Sequence, residues 1–568
     1  MNTDKDSLFK SSLKKSNKWL NSNIDDVSKS EIIELQKINN KNNLIESFYK
    51  NLEFGTGGMR GLIGIGSNKI NKFTLGLATQ GLSNYLKKKF NSNIKVAIAY
   101  DSRKYSKEFA LITADILSAN NISVLIFKEL RPTPLLSYAV RKLKCNSGIV
   151  ITASHNPKEY NGYKVYWNDG GQIVKPHDEL IIKEINKLNG IDEINFKTNN
   201  SKIQIINKEI DELYFKDLKS LSLNDNSESN LEIVFSPIHG TGITMVPKAL
   251  KSFGFKNIII TKSQKEPDEN FSTVSSPNPE EYEALKEGIK DLKKNNFDIL
   301  VATDPDGDRV GVAIRNKKNI ILINGNQLAS LIIYYTLKKN KEKNNLHKNN
   351  FVVKTIVTTN LIDKICEDFK IKCYSTLTGF KHIANLIKNR KNEKFIAGGE
   401  ESYGYLVGDF VRDKDAIIST SIICEIASWA KKQSKNLMDI LDDIYDKYGI
   451  FKNKLYTIKL EGIDGRKNIN KIMKDFRTDP PNLIFNMKTK EIIDYSKKNN
   501  IILFLTVFIL FGYKEIVWPI FSIPVSYGMY ILIYLASFNY FIKSNINVFR
   551  ISIIGLILSF FVLNGYND

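Results

Sequence analysis

The sequence predicts an α/β protein made of several similar layered units. Three observations lead there. Short apolar, strand-like segments alternate with helical ones from Ile94 to Lys432, the signature of α/β layers with largely parallel sheets. The same strand-then-helix unit recurs, as if one domain type were repeated. The chain has 568 residues, 42% hydrophobic and 25% charged, which excludes a disordered or fibrous class and leaves room for three to five domains.

Residues 1–50 read as helices, with Leu8, Trp19 and Leu20, then Ile32, Ile33, Leu35 and Ile38, then Leu44 and Phe48 at helical spacing. Strands are expected at Ile94–Tyr100, Ser123–Phe127, Gly148–Thr152, Leu231–Phe235, Asn257–Thr261, Asp298–Thr303, Val352–Val357 and Phe395–Ala397. Helices are expected at Glu108–Ala119, Leu180–Leu188, Met245–Phe253, Pro279–Asn295, Gln327–Lys338, Leu361–Phe369, Phe380–Lys388 and Ala416–Lys432. Polar stretches at Asn199–Lys202 and Asn224–Asn230 read as linkers or loops.

The net charge is +21. Lysines are dispersed among Asp and Glu with no dense basic stripe interleaved with aromatics, so a solvated surface is expected and a nucleic-acid partner is not. The four cysteines, Cys145, Cys366, Cys373 and Cys424, lack CxxC spacing, as expected of reduced thiols. The N-terminus has no apolar core of signal-peptide length, which places the body in the cytoplasm.

Four stretches carry chemistry. In Gly148–Pro157 an apolar strand runs into Thr152-Ala153-Ser154-His155-Asn156-Pro157; loops at the carboxyl ends of such strands bind ligands. Ser154 there suits a nucleophile or phosphate carrier with His155 and Lys164 nearby, or simply a turn ending the strand. In Thr303–Arg309, Asp304, Asp306 and Asp308 fall at i, i+2 and i+4 around Gly307, a spacing that lets three carboxylates converge on a hard cation. An EF-hand would need Gly at Arg309 and Glu at Arg315; a haloacid-dehalogenase-type phosphatase fits the same run. In Gly398–Gly404 an extended loop would turn Glu400 and Ser402 the same way, toward sugar hydroxyls, while a glycine-rich hairpin explains it equally well. Glu53–Gly61, with Arg60, reads as an anion cradle or a flexible glycine linker, and is not a Walker loop.

In this order, TASHNP, DPDGDR and GEESYG, preceded by EFGTGGMRG, resemble the α-D-phosphohexomutase superfamily over roughly residues 45–450, and the phospho-sugar mutase branch in particular. The resemblance implies three similar mixed α/β domains around a central cleft and a smaller fourth: residues 1–206 with the phosphoserine loop, 207–321 with the metal loop, 322–448 with the sugar loop, and a truncated fourth domain at 449–498. It implies Ser154 as phosphoserine, with Arg60, His155 and Lys164 beside it. It implies Mg²⁺ on Asp304, Asp306, Asp308 and the serine phosphate. Arg309, Thr378, Gly379, Lys381, Glu400, Ser402 and Lys414 would bind substrate. The implied reaction moves a phosphoryl group between C1 and C6 of a hexose phosphate, glucose 1-phosphate and glucose 6-phosphate first among them. It passes through a hexose 1,6-bisphosphate that also serves as primer, and mannose and pentose phosphates are the alternatives.

The family's RPSGTEP-like loop, which grips the distal phosphate, has no counterpart run in this sequence. After Lys498 come three uncharged stretches, Asn499–Tyr513, Ile516–Ile542 and Ile551–Asn567, read as apolar helices of a membrane-spanning kind over 499–568. A fused or truncated reading frame is the favoured explanation, which puts full activity in doubt. A membrane-anchored, catalytically impaired sugar-phosphate-binding protein is the alternative.

Overall fold

A computed structural model describes residues 2–55, 57–453, 462–484, 487–489, 491–495 and 505–506. The chain divides into two compact units, 1–453 and 454–568.

The first unit begins with helices Asn2–Leu20, Asp26–Gln36 and Lys41–Phe48. Asp25 caps the second, accepting from Ser28 N at 3.2 Å. The helices bury Trp19, Ile32, Leu44 and Phe48 against Phe73 and Ile116 of the neighbouring layer. The Trp19 ring meets Phe48 and Phe73 edge-on.

Three sheets follow. The first has six strands in the order Gly58–Leu62, Tyr160–Trp167, Ser147–Ile151, Lys95–Tyr100, Ser123–Phe127 and Ile203–Ile206. Its last four strands are parallel and its first two are antiparallel additions. The second has the order Asn319–Ile323, Val310–Asn316, Ile299–Thr303, Glu232–Ser236, Asn257–Ile260, and the third Lys372–Thr376, Asn350–Thr355, Lys394–Gly399, Tyr405–Val407. Each therefore has a parallel centre, as the alternating pattern predicts, and an antiparallel edge. One apolar cluster runs without a break from Ala97 and Leu136 of the first layer, through Ile233 and Val301 of the second, to Val352 and Ile422 of the third.

The structure adds elements that the hydrophobic pattern does not reveal. Helix Lys72–Lys89 is buried on nearly every side, which erases the 3.6-residue period by which a helix is recognised. Asn199–Lys202 holds a short 3-10 turn feeding strand Ile203–Ile206 of the first sheet, and Asn224–Asn230 is a loop. The helix expected at Leu180–Leu188 lies at His177–Ile185. Glu53–Gly61 is not a flexible linker: Gly58–Leu62 pairs with Tyr160–Lys164. Gly58, at φ +131°, sits where a Cβ would fall 1.9 Å from Tyr163 O, so only glycine fits.

In the second unit, helix Gly462–Thr478 precedes a small hairpin of Leu483–Ile484 with Met487–Lys488, and Glu491–Ile492 pairs antiparallel with Leu505–Thr506. Apart from those last two residues, the apolar stretch 499–568 with its expected spans lies outside the described residues. Among the described residues no helix is long and apolar enough to cross a membrane.

Candidate active site

The fully buried strand Ser147–Ile151 delivers Ser154 at the carboxyl edge of the first sheet, at φ +53°. A non-glycine residue in the left-handed region must be held there, and Arg103 does much of the holding. Its guanidinium donates to the carbonyls of Ser154 at 2.5 Å, Pro157 at 2.8 Å and Tyr160 at 3.1 Å, and also to that of Asn156. Asp101 lies 3.4 Å from Arg103 Nε, and accepts Arg103 N at 2.9 Å and Ser106 Oγ at 2.6 Å. Both follow directly after strand Lys95–Tyr100, so two adjacent carboxyl-edge loops are locked together.

Strand Ile299–Thr303, also fully buried, presents the three aspartates. Ser154 Oγ donates to Asp304 Oδ2 at 2.7 Å, while Asp308 N and Arg309 N both donate to Asp304 Oδ1 at 3.0 Å. Asp306 Oδ2 accepts Thr133 Oγ1 at 2.9 Å and Lys164 Nζ at 2.7 Å. Asp308 Oδ2 lies 3.3 Å from Lys164 Nζ and 3.2 Å from Lys414 Nζ. The remaining oxygens, Asp306 Oδ1 and Asp308 Oδ1, are buried without a hydrogen-bond partner. One ligand atom from each aspartate lies within 4.8 Å of the others. Three buried oxygen donors, two with an open atom, fit a hard divalent cation. Gly307 makes the turn at φ +65°.

Burial, and repulsion from Asp306 and Asp308, push the Asp304 carboxyl well above its ordinary value; a bound dication would reverse that. Burial opposes the charge on Lys164, but Asp306 and Asp308 outweigh it and hold the ammonium above the usual lysine value. His155 Nδ1 lies 3.3 Å from Ser154 Oγ. Burial, helped by Arg309 and Arg60, drives its pKa down to about 2, so the imidazole is neutral at pH 7. Arg60 donates to Asn156 Oδ1 at 2.8 Å, and Arg309 pairs with Glu280.

The third sheet closes on this cluster. Val310 N donates to Tyr403 O at 3.0 Å, tying the loop after Lys394–Gly399 to the metal loop. Glu400 is buried and accepts Gly379 N at 2.9 Å, so the segments around Gly379 and Glu400 meet. The Phe380 ring lies 5.7 Å from Lys414 Nζ. The loop after Gly399 is not extended as the sequence suggests: it bends, with Tyr403 at φ +63°, because it closes the hairpin between Lys394–Gly399 and Tyr405–Val407. The hairpin and ligand-loop readings of this stretch are thus compatible. Ser154, His155, Arg60, Lys164, the three aspartates, Arg309 and Lys414 form one connected group. Thr378 and Ser402 lie on loops of the third sheet, and Lys381 in the first turn of helix Phe380–Asn389, without being bonded into it. Sequence reasoning missed Arg103, Asp101, Thr133 and Asp413. For Asp101 and Arg103 a signal existed, since YDSRK follows an apolar strand just as TASHNP does.

Buried carboxylates facing a serine, ringed by cationic side chains at the carboxyl edges of three α/β sheets, define a site for cation-assisted phosphoryl transfer. Family models agree with that class: "Phosphoglucomutase/phosphomannomutase, alpha/beta/alpha domain I" matches residues 51–191, domain II 212–317 and domain III 324–448. A phosphoglucomutase of Staphylococcus aureus (strain N315) is 38% identical over 455 residues, 79% of this chain and 81% of that one. The fold is shared with a putative phosphomannomutase from Thermus thermophilus (TM-score 0.60, 24% identity, 73% of this chain and 89% of that one). It is shared as well with the open form of parafusin, a phosphoglucomutase from Paramecium (TM-score 0.58, 17% identity, 78% and 83%). The chain belongs to the phosphoglucomutase/phosphomannomutase family. It is a phosphohexomutase, an intramolecular phosphotransferase.

Proposed function

We propose that the chain interconverts glucose 1-phosphate and glucose 6-phosphate, with Ser154 as the covalent phosphoryl carrier. The observation that carries this reading is Ser154 Oγ at 2.7 Å from Asp304 in the buried aspartate cluster. Mg²⁺ held by Asp304, Asp306 and Asp308 would neutralise charge on the transferring phosphoryl oxygens. Arg60 and Arg309 stand beside the serine as further cationic groups for those oxygens. The sugar hydroxyl attacks phosphorus as the bond to Ser154 Oγ breaks. The proton lost by that hydroxyl ends on the leaving Ser154 Oγ, and neutral His155, its Nδ1 3.3 Å from this oxygen, is placed to hydrogen-bond it, while Lys164 matches the basic residue near the reacting hydroxyl. The product is a 1,6-bisphosphate; once it turns over, its other phosphoryl group returns to Ser154. A hexose 1,6-bisphosphate primes the unphosphorylated serine by the same step. Glu400 and Ser402 bind sugar hydroxyls, while Thr378, Gly379, Lys381 and Lys414 help to place the substrate. The four cysteines are unpaired, which supports a reducing, cytoplasmic location.

The test is Ser154→Ala. Turnover of a panel of glucose, mannose and pentose phosphates, with Mg²⁺ and bisphosphate primer, should vanish while melting is unchanged. Intact mass should show one phosphate on the wild type and none on the variant. A wild type inactive on every sugar of the panel overturns the proposal, and a variant that still carries the phosphate moves the carrier elsewhere. A second reading, a membrane-anchored sugar-phosphate-binding protein, is supported by the three uncharged stretches after Lys498; recovery of the full chain in the soluble fraction without detergent would overturn it.

A further inference from the structure

Asp306 and Asp308 share a pattern: Oδ2 is taken by protein donors and Oδ1 is left open. What fixes that choice at Asp308 lies outside the aspartate loop. Both ammoniums that hold Asp308 Oδ2 arrive from other layers, Lys164 from strand Tyr160–Trp167 and Lys414 from the segment before helix Ala416–Lys431. Lys414 is itself steered by its neighbour. Asp413 Oδ1 accepts Lys414 N at 2.8 Å and Lys414 Nζ at 3.1 Å. Asp413 Oδ2 accepts Tyr166 Oη at 2.5 Å and Gln172 Nε2 at 3.1 Å. Tyr166 stands two residues from Lys164 on one strand, so the two side chains share a face. The bonds therefore close a ring: Lys164 to Asp308, Asp308 to Lys414, Lys414 to Asp413, Asp413 to Tyr166, and along the strand back to Lys164. All five side chains are buried.

We infer that Asp413, oriented by Tyr166, is a positioning residue for the cation site, setting which oxygen of Asp308 faces the cation by sharing the charge of Lys414. This rests on the aspartates being the cation site, not on the identity of the sugar. While Asp413 is ionised, Lys414 divides its hydrogen bonds between two carboxylates. Without that charge Lys414 has Asp308 as its remaining carboxylate bond. The lysine then competes with the cation for Asp308, and a positive charge left with only Asp308 and the more distant Glu400 as counter-charges stands beside a dication. Both effects weaken cation binding. Outer-shell partners of metal ligands typically change affinity by about 10- to 100-fold.

The experiment is calorimetric titration of the full chain with Mg²⁺, repeated with Mn²⁺ followed by paramagnetic resonance, on wild type, Asp413→Asn and Tyr166→Phe. Asp413→Asn should raise the Mg²⁺ Kd about tenfold or more. Tyr166→Phe keeps the charge and the Gln172 bond, so its Kd should rise in the same direction but by less. A mere brace between layers would lower Tm and leave the Kd of the folded protein alone. Wild-type Kd in both folded variants overturns the inference; should Asp413→Asn fail to fold, Tyr166→Phe decides alone, and an unchanged Kd there overturns it. Turnover is not the readout. A shifted Kd in a protein inactive on sugar phosphates would sink the mutase reading and leave this one standing, and an unchanged Kd with normal turnover would do the reverse.

Discussion

The serine loop and the loop after Gly399 both leave the carboxyl edge of a sheet, yet they are held very differently. Residues 154–160 hang four backbone carbonyls on one buried guanidinium, and Ser154 is further fixed by Asp304. In the other loop Glu400 is anchored through Gly379, and Ser402 stays half-exposed and outside the bonded cluster. Groups that exchange a phosphoryl bond need a fixed geometry before substrate arrives. Groups that must accept a sugar in two orientations gain from polar atoms left open. Substitutions on the rigid side should therefore act on kcat, and substitutions on the open side on KM.

The largest effect is expected from Asp308→Ala, which removes one of the three carboxylates proposed to hold the cation and leaves Lys164 and Lys414 with one fewer counter-charge. Steady-state kinetics should show kcat lower by about 10³-fold, and calorimetry should show Mg²⁺ binding lost. A variant with wild-type kcat would break the division between rigid and open sides at its centre. Next comes Arg103→Met, which touches no substrate but frees the carbonyls of the serine loop. A shift of ~1 Å in Ser154 costs about 10²-fold, so kcat should fall by that order with KM nearly constant. If KM moved instead, the serine loop would be no more fixed than the other. Glu400→Ala should do the opposite, raising KM about tenfold with a smaller change in kcat, the equivalent of one charge-assisted hydrogen bond of about 1.5 kcal/mol.

The smallest effect on turnover is expected from Asp415→Asn. Asp415 caps helix Ala416–Lys431, accepting Ile417 N and Ile418 N at 2.9 Å each, and receives Tyr214 Oη at 2.7 Å. Burial raises its pKa to about 7. The folded state thus binds a proton that the unfolded chain, with its ordinary pKa of about 3.9, releases. The stability this contributes is complete below about pH 4 and is lost as pH rises through 7. Asparagine keeps the acceptor and carries no charge, so Tm plotted against pH from 4 to 8 should be flatter in the variant. A slope equal to that of the wild type would place the titration on another group.

Much of this division was legible in the sequence, because an apolar strand running into a small polar loop marks the edge where ligands bind. TASHNP and DPDGDR both announced themselves in that way, and the structure brings Ser154 and Asp304 into contact. Partnerships that depend on packing were not legible. Nothing local to Thr133 says that it meets Asp306, and nothing in Tyr166 says that it meets Asp413. The antiparallel strands Tyr160–Trp167 and Val310–Asn316, each paired on both sides, escaped because the alternating strand-and-helix pattern signals parallel strands and not antiparallel insertions beside them. Helix Lys72–Lys89 escaped because burial all round leaves no polar face to read.

The apolar cluster that threads all three sheets bears on how such a chain can be taken apart. The family models divide the sequence into successive modules, as though each could be lent to another protein. The side chains do not respect those cuts: Leu136, Ile233, Val352 and Ile422 are grouped in a single core. A piece excised at any module boundary would carry away a face of raw hydrocarbon and meet water with it. What heredity can copy as separate parts, solvent obliges to stand or melt together.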